Sequence, residues 1–489
     1  MSEAYDVPMV LTGPYYMVSQ HCGYCNCKKS DFYAVDSFKD KKLPSIPTKA
    51  EHVTIGSQVE QMTYQQYDDL INRGFRRSGT FLYKQDMLRN CCRLFTIRTR
   101  LQEMKINKQH RKTINRFIRA TSAINGPQSQ TLSKKGSAFD LNSLVKAERE
   151  STRFYTVFGP SKFSDEKFEL YKKYQIKVHN DDPEDISKLS FKRFLCDNPF
   201  PKDECTADWD HLNSWTTVDK NSKSGRVNRY VGSAHDCYYL DGKLIAISVV
   251  DLLPSGMSSI YFIWDPDYSH LSLGTLSGLR ELMICDHLNL DWYYLGYYID
   301  DCPKMQYKLK FGGELLDVCT ETYFPISQLQ PFIKNGKFFV IEDEDIDIDL
   351  LKEIGVQNSS FPQSESPSKF QGKCLKNISD SLYGNEQLYL NAENIAHELL
   401  STYGVNFNTR SLDKEIPSVV PGLIPLWQIK VWLNENVIGH TFVVNIYALK
   451  SQQMILAPFD DLQGSSKRVI IDCIRLYGLD KVKNSIILT

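Results

Sequence analysis

"HDCYYLDGKLIAISVVDLLP" (residues 235–254) sets two apolar runs on either side of an Asp-Gly pair at 241–242. Asp-Gly between such runs is the strongest short-range hairpin signal, because both turn positions take positive φ. After "PSGM" (254–257) comes "SSIYFIWDP" (258–266), whose aromatic and β-branched residues read as a third strand. The three runs make an antiparallel meander. Next, "SLGTLSGLRELMICDHLNL" (272–290) places apolar residues at helical spacing with small residues and glycine at its entrance, and "WYYLGYYI" (292–299) reads as another strand.

A meander, a glycine-containing turn into a helix and a strand after it predict an α/β (α+β) chain. Its core is expected to be an acetyltransferase-like (GNAT) domain with a central mixed sheet, in which the helix N-terminus faces the polar part of an acyl donor. This domain is expected over 150–340, entered by "SDEKFELYKKYQIKVHNDD" (164–182), where Ser164 and a first-turn acidic pair mark a helix start. Before it lie a cysteine-containing N-terminal domain (1–125) and a polar connection (126–149). After it lie an acidic, Ser/Pro-rich linker (341–378) and a small α/β segment (379–489), which packs on the catalytic domain in one arrangement.

The 58 Lys and Arg nearly cancel 59 Asp and Glu, so any polyanion-binding surface must be local. One tract stands out. Residues 89–120 carry ten Lys/Arg against one Glu. No apolar run approaches the ~20 residues of a membrane helix, and "MSEAYDVPMV" has no basic-then-apolar export signal. The expected setting is cytoplasmic, with the nucleus as a second compartment, and the expected state is a monomer without membrane contact.

Thirteen cysteines in a reducing compartment argue against a disulfide framework. Cys22 and Cys25 form a CxxC, a spacing that brings two thiolates to one metal from a tight turn. Cys91 and Cys92 offer a second pair, completing a four-thiolate set for zinc or an iron–sulfur cluster. Adjacent cysteines diverge in regular structure, so Cys27 and His21 remain substitutes, and a core dipeptide with an exposed redox pair is the plain alternative.

Several strings together resemble the eukaryotic arginyl-tRNA-protein transferases, in a fungal-type version: "CGYC" (22–25), "LINRGFRRSGTFLYK" (70–84) leading to "CCRLFTIR" (91–98), the 235–254 hairpin, "SSIYFIWDPDYSHLSLGTLSGLRE" (258–281) and "YYLGYYIDDCPKMQYK" (293–308). The resemblance implies arginine transfer from Arg-tRNA to proteins beginning with Asp, Glu or oxidised Cys, which feeds N-degron degradation. It also implies metal or cluster binding by Cys22, Cys25, Cys91 and Cys92. An aminoacyl ester is already activated, so no nucleotide cofactor is expected, and no phosphate-loop motif is found.

That chemistry sets roles for particular residues. The donor's guanidinium needs a carboxylate, for which Asp251 is preferred, with Glu281 and Asp300 behind it. The acceptor's acidic side chain needs cations: Arg76 and Arg77 are expected to supply them, with Tyr83 shaping the pocket and His235 near the amine as proton acceptor. Tyr297 is expected to donate to the oxyanion, and Lys304 to contact substrate. Arg111, Lys112 and Lys308 are expected on tRNA phosphates, with Tyr307 stacking on the acceptor end. Two other readings stay open: an acyl-CoA-dependent N-acetyltransferase, with a pyrophosphate cradle at "LGTLSG" (273–278), and a metal-nucleated RNA-binding adaptor.

Overall fold

The computed structural model describes residues 7–39, 46–122, 140–217, 230–342, 375–407 and 415–489. Most of the connection expected at 126–149 and of the linker expected at 341–378 lies outside these described residues.

The hairpin forms as expected. Gly232–Leu240 and Lys243–Leu253 pair antiparallel, with Asp241 at φ 51° and Gly242 at φ 77° in the turn. Gly256–Trp264 pairs antiparallel with the second strand, and the helix Leu273–His287 carries the chain back to Trp292–Tyr298. That last strand lies parallel to Gly256–Trp264. The sheet is therefore mixed. It has eight strands, in the order 322–325, 314–317, 95–99, 292–298, 256–264, 243–253, 232–240 and 154–160.

Leu273–His287 is buried on nearly every side, which is why its sequence is apolar around most of the helix. The sheet covers one face; Lys108–Thr121 and Asn142–Glu150 pack over the others. Arg280, fully buried within it, forks to Glu148 and also pairs with Asp236, tying Asn142–Glu150 to the strand Gly232–Leu240. At Gly278 a Cβ would come within 2.7 Å of the Phe311 ring, so close packing demands glycine there.

A second eight-stranded sheet joins the two ends of the chain, in the order 453–458, 443–448, 485–488, 9–12, 52–61, 81–85 and 76–78, with 15–19 also on 52–61. Met9–Thr12 runs parallel to Ser485–Leu488. The sheets cross the stretches expected as separate units: Phe95–Thr99 lies in the sheet of the 232–298 meander, and the C-terminal strands complete the sheet of the N-terminal segment. Lys84 donates to Gly422 O at 2.8 Å and Arg73 to Tyr477 O at 2.8 Å, fastening the C-terminal segment in place. Among the described residues no helix is long and apolar enough to cross a membrane.

Candidate active site and metal centre

Cys22 and Cys25 sit in a tight turn, with Asn26 N donating to Cys22 O at 2.8 Å and Lys28 N to Cys25 O at 3.1 Å. Cys91 and Cys92 follow Asn90, which bridges to Glu51, and they lie in a bend instead of a strand or helix. In a bend, neighbouring side chains need not point apart, so the adjacent pair converges. Cys22 Sγ lies 3.9 Å from Cys92 Sγ, and Cys25 Sγ lies 3.4 Å from Cys91 Sγ. All four sulfurs fall within 4.8 Å of one another, close enough to hold a metal ion. Hydrogen bonding among the thiols lowers that of Cys22 below its ordinary range and raises those of Cys91 and Cys92. Cations stand close by. Lys29 donates to Cys91 O at 3.2 Å and pairs with Asp301 at 2.5 Å, while buried Arg93 donates to Asn90 O and Phe32 O.

The cysteine set abuts the second feature. Tyr297, Ile299 and Cys302 pack with the four cysteines, and Tyr83 lies against the same cluster. Here the central strands part. Gly256–Trp264 and Trp292–Tyr298 pair over three positions, Gly256–Ser258 with Trp292–Tyr294, and the parallel ladder ends there. Both strands have irregular register at that point, between Ser259 and Tyr261 on one and between Tyr294 and Tyr297 on the other. Ser259, Ile260, Tyr261 and Phe262 are half-buried although their strand is central in the sheet. Where the ladder ends, the carbonyls of Leu295, Gly296 and Tyr297 accept from the side chains of Lys308 and Arg76.

The residues expected from sequence do not form one set. Arg77 and Asp251 are brought together, but onto each other. Arg77 Nε and Nη2 each donate to an Asp251 oxygen at 2.7 Å, Ser233 Oγ adds a bond of 2.7 Å, and Asp251 is fully buried. Neither charge is left for a substrate. Arg76 differs from its neighbour. It is 5% exposed, donates to Gly296 O at 3.0 Å and to Phe75 O at 3.1 Å, and lies over the Tyr297 ring at 5.3 Å.

His235 is buried, with Nε2 2.8 Å from Leu195 O and Nδ1 3.1 Å from Lys167 Nζ. A carbonyl requires Nε2 to be the donor, so Nδ1 accepts from Lys167 and both nitrogens are occupied. Burial, then Lys167, brings its pKa down to about 4. The neutral ring thus braces the strand against Leu195, contrary to the expected proton acceptor. Tyr297 donates its hydroxyl to Gly74 O at 3.1 Å, and Asp300 accepts from Tyr298 at 2.9 Å.

Lys308, expected on a tRNA phosphate, is buried and donates to Leu295 O and Tyr297 O at 2.7 Å each. Lys304, Arg111 and Lys112 are exposed, and Tyr307 is half-buried. Glu281 was foreseen only as a reserve partner for the donor. It is buried and accepts hydroxyl bonds from Ser248, Ser277 and Tyr293. Lys29 and Arg93, the cations beside the thiols, were not foreseen; the basic residues flanking each cysteine pair were the available signal.

Residues 20–112 match the family described as arginine-tRNA-protein transferase, N terminus, and residues 166–317 match arginine-tRNA-protein transferase, C terminus. Arginyl-tRNA–protein transferase 1 of Saccharomyces cerevisiae is 41% identical over 494 residues, covering 96% of this chain and 95% of that protein. Arginyl-tRNA–protein transferase 2 of Arabidopsis thaliana is 34% identical, over 54% of this chain and 41% of its own length. Arginyl-tRNA–protein transferase 1 of Drosophila melanogaster is 29% identical, over 55% of this chain and 76% of its own length. With such identity along nearly the full length of the yeast protein, this chain belongs to the arginine-tRNA-protein transferase family.

Proposed function

We propose that this chain transfers arginine from Arg-tRNA to the α-amine of proteins beginning with Asp, Glu or oxidised Cys, marking them for N-degron recognition in the cytoplasm. The parting of the central strands carries this reading, because it lies beside buried cations in a chain of this family. The sheet and the helix Leu273–His287 form the acetyltransferase-like unit, expected over 150–340 and here extended by Phe95–Thr99.

The amine attacks the ester carbonyl, a C–N bond forms as the C–O bond breaks, and the amine's proton leaves on the ribose oxygen. An α-amine with an ordinary pKa near ~8 keeps a neutral fraction at neutral pH, so orientation does most of the work. Main-chain N–H groups along the parted strands are the proposed donors to the developing oxyanion. Exposed Arg111 and Lys112 on Lys108–Thr121 offer a track for tRNA phosphates, with exposed Lys304 and half-buried Tyr307 as further contacts. The acyl-CoA alternative fits less well, since Gly278 in "LGTLSG" is taken up by Phe311.

The four thiolates suit one tetrahedral zinc ion. Zn–S bonds of about 2.3 Å put the sulfurs roughly 3.8 Å apart, whereas a cubane cluster interposes irons and sulfides and spreads its cysteines wider. The four sulfurs lie within 4.8 Å of one another, which favours the single ion. When bound, zinc supplies a structural crosslink between the 22–25 turn and the 91–92 bend. Elemental analysis of anaerobically purified protein is expected to give one zinc and no labile sulfide, and Cys22→Ser to lose the zinc; stoichiometric iron with sulfide would reverse the assignment. The transfer itself is tested with radiolabelled Arg-tRNA and a peptide beginning with Asp.

A further inference from the structure

Arg76 and Lys308 are buried at the same short stretch of main chain. Arg76 takes the carbonyl of Gly296, and Lys308 takes those of Leu295 and Tyr297, so three consecutive carbonyls are held by two cations 5% and 7% exposed. Neither cation has a carboxylate within ion-pair distance among the described residues, unlike Arg73, Arg77, Arg89, Arg98 and Arg280. Arg76 Nε is buried with no hydrogen-bond partner. Lys308 has one N–H beyond the two it uses. Buried positive charge without an anion is costly, and a buried cation pair gains most from an arriving carboxylate. Beside the pair, Gly296 and Tyr83 are half-buried, and Gly296, at φ 78°, carries no side chain.

We propose that Arg76 and Lys308 together form the subsite for the acceptor's N-terminal acidic side chain, with Lys308 also positioning the parted strand through Leu295 and Tyr297. The inference rests on the arginine-transfer reading above. It removes Lys308 from the tRNA track and replaces Arg77, which Asp251 neutralises, in acceptor selection. Burial, followed by the charge of Arg76, lowers the Lys308 ammonium to about 7, the direction expected of a cation awaiting an anion. A carboxylate fits this enclosed place, whereas the phosphates of a tRNA backbone suit the exposed basic residues.

The test is the steady-state kinetics of the full-length protein with Arg-tRNA and two otherwise identical peptides, one beginning with Asp and one with Asn. Wild type is expected to prefer Asp strongly. Lys308→Met is expected to raise the KM for the Asp peptide and to cut its kcat/KM roughly 10- to 100-fold, the range of a lost charge-assisted bond. It should leave the KM for Arg-tRNA within about twofold and reduce the Asp-over-Asn preference, while Lys308→Arg restores most of that preference. Arg76→Met should act in the same direction. An unchanged Asp-over-Asn ratio in a folded Lys308→Met, or a rise confined to the KM for Arg-tRNA, overturns the subsite. Absence of transfer by wild type contradicts the arginine-transfer reading itself, and so separates the two failures.

Discussion

Arg77 and Asp251 are 174 positions apart in sequence and meet as a two-bonded pair sealed from water. Removing one partner of such a pair strands the other charge, which costs about 3–5 kcal/mol. Arg77→Met and Asp251→Asn are therefore each expected to lower the unfolding free energy by about that amount in denaturant titrations, and Arg77→Met with Asp251→Leu to recover most of it. Single variants within about 1 kcal/mol of wild type would show that the pair is not desolvated as described. The sequence marked both residues as important but split them between two ligands. Each residue type fits a ligand-binding role, and only the meeting of the two side chains, from strands of different sheets, reveals that they satisfy each other. His235 misled for a related reason: a histidine opening a hairpin gives no hint that Leu195 and Lys167, on other elements, will occupy both its nitrogens.

The helix Lys108–Thr121 shows what local pattern does convey. Asn107 caps it through Gln109 N and His110 N; Thr113, Ile114 and Phe117 face the core; Arg111 and Lys112 are left in solvent. Arg111→Glu with Lys112→Glu is expected to raise the KM for Arg-tRNA about tenfold at low salt and to flatten its salt dependence, with the acceptor KM unchanged. Equal loss toward both substrates would point to a misfolded helix instead. The meander and its helix were equally legible, because the Asp-Gly turn and the 3.6-residue spacing are written within a few residues. The cysteine set was legible by ligand arithmetic, although the bend that lets Cys91 and Cys92 converge was not. Nor was the parting of the strands, which depends on irregular register in two neighbours at once.

Across the entire chain, composition suggested a linear series of units, while pairing joins the ends. Met9–Thr12 hydrogen-bonds along Ser485–Leu488, and Tyr477, Ile471 and Leu476 share a core with Leu70 and Phe75. Such contacts span hundreds of positions and leave no local signature, so the C-terminal segment reads as an appendage although it completes a sheet. Ending the chain at residue 342 would leave that core open. The truncated protein is expected to be rapidly cleaved in limited proteolysis between residues 7 and 90, and co-expression with 375–489 to restore protection; a protease-resistant truncation would contradict the shared core. That sheet carries Arg76 and packs beside the four cysteines, so the proposed acceptor subsite and the cysteine set depend on both halves of the fold. The most direct measurement of the central claim incubates metal-loaded, oxygen-free protein with radiolabelled Arg-tRNA and peptides of defined N-terminus. The expected result is label on the Asp peptide, none on its N-acetylated form, and no need for ATP or acetyl-CoA. Unreacted ester with every acidic acceptor, or acetyl transfer from acetyl-CoA in its place, would contradict it.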